Sequence, residues 1–97
     1  MAYKIIILDR AILDVTESVK WYDNISKTLS KRFLSSFKTS VNIIYQNPYS
    51  YQIRYDDVRL FFLKTFPYLI HFSVDGNLII IKAVLHTSRD SEINRTY

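Results

Sequence analysis

The chain contains one glycine, Gly76, which follows Asp75 and separates two runs of alternating apolar residues, 68–74 and 78–85. Asp-Gly is a hairpin pair, because both residues tolerate the positive backbone angles that a two-residue turn demands. Counting outward from a loop at 75–76 sets Val74 opposite Asn77, Phe72 opposite Ile79, Ile70 opposite Ile81 and Tyr68 opposite Ala83. A loop at 76–77 keeps the same parity. One face is then almost purely apolar and has to be core. The other carries Leu69, His71 and Ser73 opposite Leu78, Ile80 and Lys82, with Val84 and His86 further along. That face is half apolar and half cationic. Either a helix or loop of the same chain covers it, with Lys82 and His86 at the rim, or it meets a partner that brings apolar residues ringed by carboxylates.

The remaining elements follow from periodicity. Residues 3–8 are mostly β-branched or aromatic and largely apolar on both faces, which predicts a short strand in the middle of a sheet. Asp9 is placed as a helix N-cap. Ile12, Val15, Val19 and Tyr22 recur at three- and four-residue intervals, the stripe of an amphipathic helix that ends near Ser26. After a connection at 26–28 a second stripe runs through Leu29, Phe33, Phe37, Val41 and Ile44, and Asn47-Pro48 stops it. The polar, tyrosine-rich residues 49–57 read as a loop whose tyrosines pack over the helices. Residues 57–90 read as two tightly connected hairpins. The expected fold is α+β in the order β-α-α-β-β-β, a helical hairpin on a mainly antiparallel four-stranded sheet, within one domain spanning residues 1–97. A chain of 97 residues has room for one core.

Composition removes several function classes. One glycine rules out a glycine-rich phosphate loop, and the absence of cysteine rules out disulfides and thiolate chemistry. Two histidines without paired spacing argue against zinc, so neither metal nor cofactor is expected. The apolar runs 5–8 and 78–81 are far shorter than the ~20 residues of a membrane helix. The first of them follows a single lysine and is closed by Asp9 and Arg10, unlike a signal peptide. A cytoplasmic protein without membrane contact is the expectation. Net charge is +4, and residues 24–55 hold Lys27, Lys31, Arg32, Lys38 and Arg54 with no acidic residue. Such a stretch can track phosphates or dock an acidic partner; a solvated helix face accounts for the same charges.

The order strand, two helices, three strands, with Asn47-Pro48, Asp57-Val58-Arg59, Phe66-Pro67-Tyr68, Ala83-Val84-Leu85-His86 and the close pair His86 and Arg89-Asp90, resembles the RelE/ParE superfamily of type II toxin–antitoxin toxins. The likeness covers nearly the whole chain and is closer to the ParE-like branch than to the ribosome-dependent nucleases. It implies a small toxin neutralised by a cognate antitoxin, often encoded beside it, in a setting of plasmid or chromosomal stabilisation, and an oligomeric complex is compatible with it. ParE-like members resemble poisons of DNA gyrase, for which no catalytic residues of their own are implied. The other branch implies a ribosome-dependent mRNA endonuclease.

Cleaving RNA through its 2′-hydroxyl needs a base, an acid and positive charge at the phosphate. The residues available are His86 as base or acid and Arg59 and Arg89 as phosphate clamps, with Lys82, Lys64 and Tyr97 as supports. Each has a plainer role open to it. His86 can hydrogen-bond a neighbouring backbone group, His71 can pack, and Arg59 can pair with Asp56 or Asp57. The sheet also lacks a dense lysine and arginine cluster. The preferred expectation is therefore inhibition of an essential target such as gyrase by protein contact, through Lys27, Lys31, Arg32, Lys38, Leu69, His71 and Lys82 as target or antitoxin contacts. The alternative is RNA cleavage by Arg59, His86 and Arg89.

Overall fold

A computed structural model describes residues 2–88. Its elements run β1 (Lys4–Ile7), α1 (Asp9–Asp23), α2 (Lys27–Gln46), a 3₁₀ turn at Pro48–Ser50, β2 (Ile53–Tyr55), β3 (Val58–Phe62), β4 (Tyr68–Asp75) and β5 (Leu78–His86). The sheet has strand order β1-β5-β4-β3-β2, with β1 parallel to β5 and every other neighbour antiparallel. The expected α+β hairpin-on-sheet layout is present with five strands instead of four. The extra strand, β2, lies in the segment read as loop. Its three residues pair with β3 across a register irregularity, too short a run to show alternation.

Local chemistry explains the helix ends. Leu8, not Asp9, occupies the N-cap position of α1, and its backbone is extended with no side-chain cap. Asp9 instead sits in the first turn, where its carboxylate meets the positive end of the helix dipole. The first helix stops at Asp23 because Ser26, expected in the connection, caps the second: its side chain accepts the Leu29 N–H at 3.3 Å. The turn is thus 24–26. Phe33, Phe37 and Ile44 of α2 and Ala11 of α1 are buried against Ile70, Phe72, Ile79, Ile81 and Val84 of the sheet. Tyr22, Phe33, Phe66 and Tyr68 close one end as a ring cluster with centroids 4.9–6.3 Å apart.

Two sheet expectations are corrected. β1 is an edge strand rather than a central one: it pairs only with β5, which leaves Ile6 and Leu8 exposed. The last hairpin turns at Gly76-Asn77, with φ +60° at Gly76, and Asp75 faces Leu78. The expected parity holds as far as Phe72 opposite Ile81 and then shifts, so that His71 faces Ala83 and Tyr68 faces His86. Lys82 is the additional residue of a β-bulge. Beyond it the faces of β5 exchange: Val84 joins the helix-covered core, and Ala83 and Leu85 move to the outer face beside His71 and Leu69. β4 is consequently buried on both sides from Tyr68 to Ser73.

Candidate functional site

Arg59 and His86 do not come together. Arg59 stands on β3 opposite Phe72, whereas His86 ends β5 opposite Tyr68. Four residue steps along β4 separate those partners, about 13 Å at the rise of a strand, and two strand spacings add to that. Arg89 and Tyr97 lie outside the described residues.

Each of the two side chains is engaged locally. The Arg59 guanidinium donates through Nη1 to the carbonyls of Tyr51 and, at 3.5 Å, Tyr49, and it lies 5.3 Å from the centroid of the Tyr49 ring. Its Nε is buried without a partner. Arg59 therefore straps the 3₁₀ turn onto the sheet and is not paired with Asp56 or Asp57. Of the tyrosines of this segment, Tyr51 packs against the core shared by helices and sheet, where it meets Phe61 and Phe72 at 5.3 and 5.9 Å. His86 accepts the Ser88 N–H on Nδ1 at 3.0 Å, and its ring stands edge-on to Tyr68 at 5.1 Å. That bond assigns the proton of the neutral ring to Nε2.

On the outer face, His71 is buried, with Nδ1 3.0 Å from the Tyr55 hydroxyl. Leu69 is buried beside it. Lys82 reaches across β4 to Asp57 at 3.3 Å. Of the three outer-face residues singled out in the sequence, Lys82 alone is partly exposed. Val84 donates its backbone N–H to Asp14 of α1 at 2.9 Å. β1 ends at Ile7, opposite Ile81, so this stretch of β5 has no neighbouring strand on that side, and the Asp14 carboxylate takes the strand's place.

The cations of α2 separate into two sets. Lys27, Lys31 and Lys38 follow one another at four- and seven-residue spacing and so share the side turned away from the core. Lys27 is paired with Asp23 at 3.1 Å. The Ser30 hydroxyl, with Lys27, holds the Asp23 carboxyl below its usual range. Arg32 lies on another flank. With Ser35, Ser36, Thr39, Ser40 and Ile43 it forms one wall of a cleft of about 310 Å³, and Phe61, Lys64, Thr65 and Phe66 form the other. The Ser36 hydroxyl donates to the Lys64 carbonyl at 2.8 Å and pins the β3–β4 connection to the helix. Sequence reasoning missed this cleft. Its one signal was the row of small hydroxyl residues at 35, 36, 39 and 40, where a longer side chain would close the gap. Among the described residues no three histidine, cysteine, aspartate or glutamate side chains gather as a metal site, and no helix is long and apolar enough to cross a membrane.

Comparison with known proteins places this geometry. A chain from a structure described as "Chromosomal ParDE TA system from P. aeruginosa" superimposes with a TM-score of 0.78 at 17% identity, covering 88% of this chain and 96% of that one; the likeness is one of fold. No curated protein sequence matches. The sequence model of the family described as "ParE toxin of type II toxin-antitoxin system, parDE" matches residues 5–91, and the chain belongs to that family.

Proposed function

We propose that this toxin-family chain acts by binding an essential protein target, DNA gyrase being the leading candidate, that it does so in the cytoplasm, and that a cognate antitoxin neutralises it. The observation that carries this reading is the separation of Arg59 from His86, together with the commitment of Arg59 to the Tyr49 and Tyr51 carbonyls. General acid–base cleavage needs its groups within hydrogen-bonding reach of one reacting phosphodiester, and the spacing of Arg59 and His86, with Arg59 held by main-chain carbonyls, favours contact over cleavage.

What remains available is contact. Among the described residues, Lys31, Arg32, Lys38 and Lys64 are exposed cations with no charged or hydrogen-bonding side-chain partner. Exposed charge of one sign raises the rate of encounter with an acidic surface. Induction of the chain followed by gel analysis of plasmid topology and of transcripts tests the reading. Linearised or relaxed plasmid with intact transcripts is the expected result; transcripts cut within codons would establish the nuclease reading in its place.

A further inference from the structure

The two edges of the sheet are protected to different degrees. β2 is three residues long, pairs across a register irregularity and carries Arg54, devices that keep a foreign strand away. β1 has four residues in regular register, of which only Lys4 is charged. The N–H groups of Lys4 and Leu8 donate inward to the carbonyls of Asn77 and Ile81 at 2.8 and 3.0 Å. Backbone groups alternate in direction along a strand, so the N–H and C=O of Ile5 and Ile7 point outward, and among the described residues no hydrogen bond engages them. The side chains of Ile5 and Ile7 turn toward the helix-covered core, which leaves Ile6 on the other face. Ile6 and Leu8 are 47% and 40% exposed.

We propose that β1 pairs with β1 of a second copy of this chain, antiparallel about a two-fold axis at Ile6, joining the two five-stranded sheets into one in a weak homodimer. The segment Ile5-Ile6-Ile7 reads the same in both directions, so the register closes on itself. Ile5 of one copy exchanges both backbone hydrogen bonds with Ile7 of the other, and the symmetric pair repeats this across the axis. The two Ile6 side chains then meet at the close, non-hydrogen-bonded position. Lys4 lies opposite Leu8 of the second copy, with its ammonium in diagonal reach of the exposed Asp9 there, and symmetry forms that pair twice. Register and charge are therefore self-complementary, as a two-fold interface requires. Pairing over so few residues buries less than the ~800 Å² per partner of a standard interface, which makes the dimer concentration-dependent. The proposal does not rest on the reading of the chain as a toxin.

The test is sedimentation of the full chain over a rising concentration series, with amide hydrogen exchange measured at both ends of the series. A reversible monomer–dimer equilibrium is expected, in which protection of the Ile5 and Ile7 amides grows about tenfold with concentration while Ile53 and Tyr55 of β2 exchange at a constant rate. Ile6→Lys, a change at an exposed position, sets two like charges face to face across the axis and should abolish the dimer while leaving the circular dichroism spectrum unchanged. Lys4→Glu should weaken dimerisation about tenfold, because both symmetric pairs become repulsive, and adding Asp9→Lys should restore it. A monomer throughout, a folded Ile6→Lys variant that dimerises as before, protection confined to β2, or a folded double variant that stays weak would each overturn the proposal. So would species that keep growing beyond two copies, since an edge contact without a closing axis makes filaments.

Discussion

The sheet and the second helix carry cations of the same sign in opposite circumstances. On the sheet, Arg59 is bound to two carbonyls and stacked on a tyrosine, and Lys82 is paired with Asp57. On α2, Lys31 and Lys38 are exposed with no such partner among the described residues. A positive charge in a sequence is thus a poor guide to function until its neighbours are known. Charge that closes a turn onto a strand is structural, and charge that has nothing to hold is available to another molecule.

Substitutions break this comparison in a definite order. Arg59→Ala has the largest expected effect, a loss of about 1.5–3 kcal/mol in urea unfolding, because the Tyr49 and Tyr51 carbonyls lose a charged donor. Arg59→Lys should restore only part, since an ammonium cannot reproduce the planar fork; full restoration would mean that charge alone holds the turn. Asp14→Ala comes next, at about 1–3 kcal/mol, because the Val84 N–H loses its acceptor in a partly buried position. Hydrogen exchange at Val84 should accelerate with it. Lys31→Ala and Lys38→Ala should each move stability by no more than about 0.5 kcal/mol, as substitutions on an open surface do, while slowing association with an acidic partner at low salt.

Asp23 gives the smallest effect and a distinct pH signature. Its carboxyl is held below the usual range by the Ser30 hydroxyl and Lys27. The stabilisation it provides is therefore complete above the normal carboxylate range and is lost as pH falls through its lowered value. Asp23→Asn should lower stability slightly at neutral pH, leave it unchanged below the lowered value of the carboxyl, and so flatten the acid limb of the stability curve; an unchanged acid limb would remove Asp23 from that role.

The strands and helices were legible in the sequence wherever a period repeated. Phe72 and Ile70 alternate against a single glycine turn, and Phe33, Phe37 and Ile44 keep a helical interval, so the core face of β4 and the buried stripe of α2 could be read directly. The bulge at Lys82 could not. A bulge preserves the composition of a strand and exchanges its faces, so Ala83 and Val84 were assigned to the wrong sides. β1 was misplaced for a related reason, since apolar residues on both faces describe a buried strand and an exposed edge alike.

The site was less legible than the fold. The acceptors that hold Arg59 are main-chain carbonyls, which have no signature in sequence, whereas the nearby Asp56 and Asp57 suggested an ion pair that does not form. The cleft was hidden because serine and threonine on a helix flank look like a solvent face until another element is seen to stand opposite them. Recognition of the family from ordered short motifs reached further than any one residue did.

His86 tests the central claim most directly, because every cleavage scheme written for this chain needs it. Growth arrest on induction of His86→Gln, a variant that keeps a side-chain acceptor near the Ser88 N–H, is predicted to stay within about threefold of that of the parent chain, since acting by contact places no proton transfer at this position. A loss of about 10²- to 10⁴-fold, the scale of a missing acid or base, in a variant that melts normally and still binds its neutralising partner, would contradict the account.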